Sequence, residues 1–292
     1  MNHPSTLPVK FIVLCVIVLC AGCTYSYGTD VEEYSKSFSV TGRADVHIHA
    51  ADARVRVITS DTPKVDFHVQ FERNRSDTAL PYSARQDGNV VELTDNEVRH
   101  DGWNWGGSDT DHAVIEVRMP KNADLQLQTS NGAIEVTSLN GTIWLHTSNG
   151  AITAGALKGK LKAETSNGAI SADGVDGDCQ LSTSNGRIQA SGRFDSLNIH
   201  SSNGGVVARA ESGSTVASHW SIGTSNAGVE LAVPTNLKAD LNFGTSNGGV
   251  QLQLPVTVQG FQNGSQLRGA LNGGGQEVSV HTSNGGIRVS GV

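Results

Sequence analysis

The sequence is poor in helix-forming windows, in aromatic residues and in clustered basic residues. Aromatic residues make up 5% of the chain and charged residues 17%. No long window is rich in Ala, Leu, Glu and Lys, so a helical protein is not expected. The formal net charge is −7. Because phosphate binding requires grouped Lys and Arg side chains, nucleic acid is excluded as a partner.

Cysteine is also scarce, and the first three of the four cysteines precede Thr24. The apolar run Phe11–Leu19 is too short to span a bilayer and suits the core of a signal peptide. The segment Leu19-Cys20-Ala21-Gly22-Cys23 resembles a bacterial lipobox, with Cys20 where Leu is usual. The resemblance implies that residues 1–22 form a lipoprotein signal peptide and that Cys23 is lipidated.

A plain cleaved signal and an uncleaved anchor remain the alternatives. After lipidation, Cys179 would be the one remaining thiol, which leaves no intramolecular disulfide. Thr24 after the lipidated cysteine favours the outer membrane if the host is Gram-negative. The expected localisation is therefore the cell envelope, reached by export and held by a lipid anchor.

A repeat dominates the rest of the chain. Thr-Ser-Asn-Gly begins at Thr129 and returns at Thr147, Thr165 and Thr183, and Ser201 begins a Ser-Ser-Asn-Gly variant at the same spacing. The motif returns, with insertions, at positions 224, 245 and 282. Each 18-residue unit divides into two nine-residue halves. The sixth and eighth residues of each half, such as Ile134 and Val136, form two columns that are expected to face inward. This alternation predicts strands with one buried face.

The predicted fold is all-β, a single-stranded β-solenoid with 18-residue coils of two strands. Asn-Gly is a strong turn signal because both residues tolerate positive φ, so each motif is expected to turn a corner. Stacked asparagines could then hydrogen-bond along the axis. The predicted turn ladder consists of Asn131, Asn149, Asn167, Asn185, Asn203, Asn226, Asn247 and Asn284.

Domain boundaries follow from the pattern. Residues 23–37 are interpreted as an N-terminal tether and residues 38–292 as the β-solenoid domain, with a polar loop excursion at about 72–113 that contains a hairpin at Val90–Leu93. A second excursion is expected at Gly260–Gly275. Terminal coils of a repeat array need capping, and the N-terminal strands and the last strand, Gly286–Val289, are expected to provide it.

These features resemble a family of bacterial β-strand-repeat proteins regarded as candidate adhesins and classified as a domain of unknown function. The resemblance rests on the opening strand pair Asp45–Ile58, on Met119-Pro120-Lys121 between two apolar strands, and on the Ser-Asn-Gly columns. It covers residues 38–292. It implies an exported β-solenoid with an adhesive role, and it supplies no catalytic residues.

Candidate contact residues are few. Trp144 occupies an outward position, where it could contact a ligand or lie beneath a neighbouring loop. Trp103 and Trp105 in the excursion could stack on sugars or cover an open sheet edge. Cys179 falls in an inward column and is expected to be buried.

No metal site or cofactor is predicted. His100, Asp101, Asp109, Asp111 and His112 could supply metal ligands, but a solvated loop is the favoured interpretation. Calcium binding in nine-residue repeats uses aspartate at the turns, whereas this corner carries neutral asparagine.

The predicted function is that of a non-enzymatic envelope lipoprotein with an adhesin-like surface for a glycan or an envelope protein. The alternative is a structural or envelope-stress-linked component that self-associates or pairs with a membrane regulator. A carbohydrate-active enzyme is the weakest hypothesis, because no paired carboxylates lie on the outward positions.

Overall fold

Inward and outward side chains alternate along nearly every strand, and this alternation organises the fold. The computed structural model describes residues 30–73, 82–96, 113–254 and 259–292. Within them the secondary structure is β throughout, which confirms the all-β prediction. No helix in these ranges is long and apolar enough to cross a bilayer.

The described ranges contain 23 strands. In chain order they are β1 (Asp30–Ser39), β2 (Ala44–His49), β3 (Ala53–Ser60), β4 (Lys64–Arg73), β5 (Tyr82–Asp87), β6 (Val90–Asp95), β7 (Ala113–Pro120), β8 (Ala123–Gln128), β9 (Ile134–Thr137), β10 (Asn140–Thr147), β11 (Ile152–Gly155), β12 (Lys158–Thr165), β13 (Ile170–Thr183), β14 (Ile188–Ser201), β15 (Val206–Ala210), β16 (Trp220–Thr224), β17 (Val229–Val233), β18 (Ala239–Thr245), β19 (Val250–Gln253), β20 (Gln259–Gln262), β21 (Gln266–Leu271), β22 (Glu277–Thr282) and β23 (Ile287–Gly291).

The strands form two hydrogen-bonded ladders that meet in the long strands β13 and β14. The first ladder, whose strands lead into the Thr-Ser-Asn-Gly corner, runs β5–β6–β2–β8–β10–β12–β13–β14–β16–β22–β18–β21–β20. The second ladder, whose strands leave that corner, runs β1–β4–β7–β3–β9–β11–β13–β14–β15–β17–β23–β19. One strand from each ladder makes a layer of this β-solenoid-like array.

The register in the middle of the array is parallel and regular. Ile143 lies beside Leu125 and Leu161, and Ile152 lies beside Ile134 and Ile170, each one full repeat away in the sequence. Because side chains alternate with period two, this register places the inward columns directly above one another. The core is therefore a stack of aliphatic side chains, and every residue of the two predicted inward columns from Ile134 to Ala208 is buried.

Chain order breaks at both ends of the array. β2 and β3 lie between the layer of β6 and β7 and the layer of β8 and β9. β22 and β23 lie between the layer of β16 and β17 and the layer of β18 and β19. The prediction that the last strand caps the array is therefore wrong: β23 is an interior strand, with Ile287 and Val289 each 1% exposed.

Antiparallel strands lie instead at both ends of the first ladder and at the N-terminal end of the second ladder, whose other end is the parallel strand β19. At the N-terminal end β1 pairs with β4 and β5 with β6, and at the C-terminal end β21 pairs with β18 and β20 with β21. β1 begins at Asp30, inside the predicted tether, because Tyr34 and Phe38 pack against the core. The predicted excursion at 72–113 is also shortened, because β6 within it pairs with β2 and joins the array.

The glycine of the Thr-Ser-Asn-Gly corner does not have the predicted role, which was to adopt a positive φ angle. Positive φ angles in the described ranges do not include the glycine of any Thr-Ser-Asn-Gly motif. Instead, a Cβ placed on Gly168 would lie 1.8 Å from the carbonyl oxygen of Gly150 in the layer below. Glycine is required here because the backbones of successive layers approach too closely for any side chain.

Candidate functional site

The threonine and the asparagine of each corner form two continuous ladders of hydrogen bonds. The buried Thr165 hydroxyl donates to the Gly150 carbonyl at 3.1 Å and accepts from the Gly168 N–H at 3.1 Å. The carboxamide of Asn167 donates to Asn149 at 2.7 Å and accepts from Asn185 at 2.7 Å. The donors and acceptors of both ladders have their partners within the array, which leaves the corner little hydrogen-bonding capacity for a ligand.

The asparagine ladder follows the spatial order of the layers rather than the chain order. Asn226 donates to Asn203 at 2.7 Å, Asn284 to Asn226 at 2.9 Å, and Asn247 to Asn284 at 2.9 Å. At the other end Asn131 donates to Asp52. The ladder thus joins the two inserted layers to the rest of the array.

Two parallel rows of outward side chains cover the first ladder from β10 to β21, and together they are called the outer face. The tryptophan row consists of Trp144, Lys162, Gln180, Asn198, Ser221, Ser279, Asn242 and Arg268. The histidine row consists of His146, Glu164, Ser182, His200, Gly223, His281, Gly244 and Gln266. Successive members of each row lie on neighbouring strands, so both rows run along the array axis.

Trp144 begins the tryptophan row, next to Gln126 of β8 on the neighbouring strand, and is half-buried. Its indole N–H donates to Glu164 Oε2 at 3.4 Å, and its ring stacks on His146 with centroids 6.1 Å apart. The Lys162 ammonium lies 5.9 Å from the indole centroid, a distance at which a cation is attracted to the ring. These neighbours hold the indole in one position at the surface.

A groove of about 660 Å³ opens further along the outer face. It forms where Gly223 and Gly244 leave gaps in the histidine row, and the His281 ring leans towards Gly244, with Nδ1 3.3 Å from the place of a Cβ on that glycine. Glu164 lines one end and Arg268 the other. A smaller groove beside Trp144 also has Gln180 and Asn198 in its lining, so the two grooves are neighbours on the outer face.

Two carboxyl groups on the strands of the first ladder have shifted pKa values, and both are held in ion pairs with arginine. Arg85 donates a hydrogen bond to Glu92 at 2.6 Å, and this bond lowers the pKa of Glu92. A hydrogen bond from Arg43 likewise lowers the pKa of Asp124. A general acid needs a raised carboxyl pKa, and both of these carboxyl groups on the strands of the first ladder are shifted downward.

The other residues considered from the sequence are either buried or outside the described residues. Cys179 is buried among the inward columns, and burial raises the pKa of its thiol to about 12. Trp103, Trp105, the candidate metal ligands His100, Asp101, Asp109, Asp111 and His112, and the lipidation residue Cys23 all lie outside the described residues. Within the described ranges no cluster of three metal-ligating side chains occurs.

Sequence reasoning missed the histidine row and its groove. A signal was present, since His146, His200 and His281 each immediately precede the first residue of a Thr-Ser-Asn-Gly or Ser-Ser-Asn-Gly motif. The groove itself was hidden because Gly223 and His281 are neighbours only through the insertion of β22.

Comparison with known proteins identifies the family. The profile of the Toastrack DUF4097 family matches residues 44–290, and the chain belongs to that family. The family resemblance seen in the sequence is thereby confirmed. No functionally curated protein matches the chain.

Solved structures with a similar course of the chain come from several bacteria. One is a candidate adhesin from Bacteroides fragilis, with 9% identity, covering 89% of this chain and 97% of its own, at a TM-score of 0.44. Another is a candidate lipid-binding protein from Parabacteroides distasonis, with 15% identity, covering 88% of this chain and 96% of its own, at a TM-score of 0.47.

Proposed function

We propose that this protein is a non-enzymatic, exported envelope lipoprotein that holds a glycan or an envelope protein on its outer face. The observation that carries the proposal is the continuity of that face. Its two rows cross eight successive strands and contain no aliphatic side chain. Such a surface binds through many weak, regularly spaced hydrogen bonds.

Several side chains of the face are available for a partner, whereas Ser279 is buried. Those of Gln180, Asn242 and His200 make no hydrogen bond within the described part of the chain. The ionic groups that do pair, Lys162 and Glu164, lie 3.2 Å apart and carry opposite charges. Recognition by hydrogen bonding rather than by net charge follows, and it agrees with the absence of a basic cluster from the sequence.

The proposal includes the finer architecture, a single-stranded β-solenoid with 18-residue coils of two strands. The register of one full repeat on both ladders between Leu125 and Val206 supports it. The outer face is then a repeated surface, with one residue of each row contributed by every coil.

Lipidation at Cys23 would fix the orientation of this surface. Six residues separate Cys23 from Asp30, the first residue of β1. β1 is the outermost strand of the second ladder at the N-terminal end, so the lipid would hold that end at the membrane and leave the groove at the distal end. A Cys23→Ser variant that stays in the membrane fraction and still incorporates palmitate would contradict this part of the proposal.

The binding role is tested with the full chain in detergent and with a Trp144→Ala variant. We expect the wild type to bind an array of bacterial and host glycans or intact envelope fragments, and the variant to bind more weakly. Thr153→Ala, on the outward side of the second ladder, is the matched control and should bind like the wild type. Absence of binding to every glycan and every envelope fraction would contradict the proposal.

A second candidate function is self-association. β1 and β19 are the outermost strands of the second ladder, and each has one neighbouring strand within the described residues. Open strand edges can pair with another copy. A concentration-dependent increase in mass by light scattering, abolished by proline at Gln251 in β19, would favour this structural role.

A further inference from the structure

We propose that the groove at Gly223 and Gly244 binds an uncharged, extended oligosaccharide lying along the array axis. This inference rests on the proposed binding role and names its site and ligand class. The lining residues of the groove come from seven successive strands, β12, β13, β14, β16, β22, β18 and β21. At about 4.8 Å per step between strands, the groove is about 29 Å long.

The groove is open along its length because two side chains are missing from one row. Gly223 lies between His200 and His281, and Gly244 lies between His281 and Gln266. A Cβ on Gly223 would lie 3.3 Å from the His281 carbonyl oxygen and 3.9 Å from His200 Nδ1. The two gaps leave a floor of backbone bordered by imidazoles, and a linear chain fits this shape better than a compact ligand.

The polar groups of the groove match sugar hydroxyls. The carboxamides of Gln180, Asn198, Asn242 and Gln266 line it, and each can both donate and accept hydrogen bonds. A hydroxyl also does both, so a polyhydroxylated chain can satisfy such groups in either direction. Gln180 and Asn198 lie on neighbouring strands, as do Asn242 and Gln266, and the serines Ser221 and Ser279 lie on the two strands between these pairs. Polar groups therefore recur at every strand along the axis, as the hydroxyls of linked sugars recur along their chain.

The charges of the groove favour an uncharged ligand. Glu164 at one end and Arg268 at the other carry opposite charges, and Arg268 has no ion-pair partner among the described residues. Glu164 is already paired with Lys162, so within the described ranges the groove offers an anionic chain one free cation, Arg268, and no row of like charges. Binding should therefore depend little on salt.

The test uses the full chain in detergent, titrated calorimetrically with uncharged linear oligosaccharides of increasing length. Glucose, mannose, galactose and N-acetylglucosamine series are used, with carboxylated and sulfated oligosaccharides alongside. We expect affinity to rise with length until the chain spans the groove and then to level off. Tighter binding of the sulfated or carboxylated chains would overturn the proposal.

A matched pair of double variants locates the site. Asn242 and Arg268 are cross-strand partners in the groove, and Gln251 and Arg288 are cross-strand partners on the second ladder. Asn242→Ala with Arg268→Ala should weaken binding at least about tenfold, the loss of one or two hydrogen bonds, whereas Gln251→Ala with Arg288→Ala should leave it unchanged.

The failure of this inference can be told from the failure of the proposed function. Binding that survives the groove variant and is lost in Trp144→Ala keeps the outer-face proposal and overturns the groove, whereas binding lost only in the second-ladder variant overturns both. If no oligosaccharide binds while envelope fragments do, the ligand class is wrong. If nothing binds, both proposals are wrong.

Discussion

In the middle of the array, from β10 to β17, each layer lies on the layer that precedes it in the sequence, whereas at both ends a layer is inserted out of order. The middle is held by contacts between residues one repeat apart. The inserted layers are held by contacts across longer separations, as between Ser221 and Ser279. The same hydrogen-bond ladders pass through both regions.

The difference shows that the repeat specifies a layer but does not specify its place. A layer fits between any two others that present the same columns, because identical side chains and backbone groups face it on both sides. At the ends the chain returns to fill a position that sequence order leaves open. Insertions such as β20 and β21 then become the caps.

The largest expected effect comes from changing the length of the middle. Deletion of residues 148–165 removes one complete repeat and joins Thr147 to Ser166, which keeps every column in register. Deletion of residues 148–156 removes half a layer and misaligns the corner. We expect the first variant to melt cooperatively with a β-type circular dichroism spectrum and the second to be unfolded or aggregated. Equal behaviour of the two would refute the 18-residue coil.

Truncation after Gly275 removes the layer inserted at the C-terminal end. It deletes Val278, Val280, Ile287 and Val289, each at most 1% exposed, and burial of such a side chain contributes about 1.5–3 kcal/mol. Together these losses approach the whole stability of a domain, about 5–15 kcal/mol. The truncated chain should aggregate or unfold at its C-terminal half, as monitored by hydrogen exchange. A soluble monomer with native protection in β18 would mean that the inserted layer is dispensable.

Glycine substitutions compare the two regions one residue at a time. Ala at Gly168 in the middle would bring a Cβ to within 1.8 Å of the Gly150 carbonyl oxygen, whereas Ala at Gly264, in the turn between β20 and β21, meets nothing within 4 Å. Gly168→Ala should lower the free energy of unfolding by about 3 kcal/mol or more. Gly264→Ala should change it by less than about 0.5 kcal/mol. Urea unfolding measures both, and a small loss for Gly168→Ala would mean that the layers can separate.

The sequence predicts the middle of the array well because each column there repeats locally. The alternation around Ile134 and Val136 predicts a buried face from neighbouring residues alone. The ends could not be predicted in the same way, since nothing near Val280 or Ile287 shows that they will lie between β16 and β18 or between β17 and β19. Insertion depends on which layer has an open neighbour, and that is a property of the assembled array.

The candidate site likewise has one part that local sequence predicts and one part that it does not. Trp144 was recognised as an outward residue because its neighbours in sequence define its column. The groove depends on Gly223 and Gly244 lying on either side of His281, which no local pattern encodes. The glycine of each corner was recognised, but its reason was misassigned to a positive φ, because sequence alone does not reveal how closely the Gly150 and Gly168 backbones approach.

The smallest expected effect concerns the ion pair that fastens the inserted N-terminal layer. Arg43 precedes β2, and its guanidinium makes two hydrogen bonds of 2.8 Å to Asp124 in β8. In the middle of the array, Lys158 lies 3.8 Å from Asp176, which also pairs with Arg193. The hydrogen bond from Arg43 is the main reason that the pKa of Asp124 is lowered, and the Thr142 N–H adds to it while partial burial opposes it.

A carboxyl group whose pKa is lowered by folding stabilises the fold above its unfolded pKa, about 3.9 for aspartate, and this contribution is lost as the pH falls through the folded pKa. Arg43→Gln should therefore destabilise the protein at pH 7 and have a diminishing effect below about pH 4. Since the two side chains are 51% and 33% exposed, the effect at pH 7 should stay below about 1 kcal/mol. Lys158→Gln serves as the control for the middle and should show a smaller pH-dependent difference. If Arg43→Gln destabilises equally at pH 7 and at pH 2.5 (about 1.4 units below the unfolded aspartate pKa), the pair acts through packing of the arginine side chain and not through its charge.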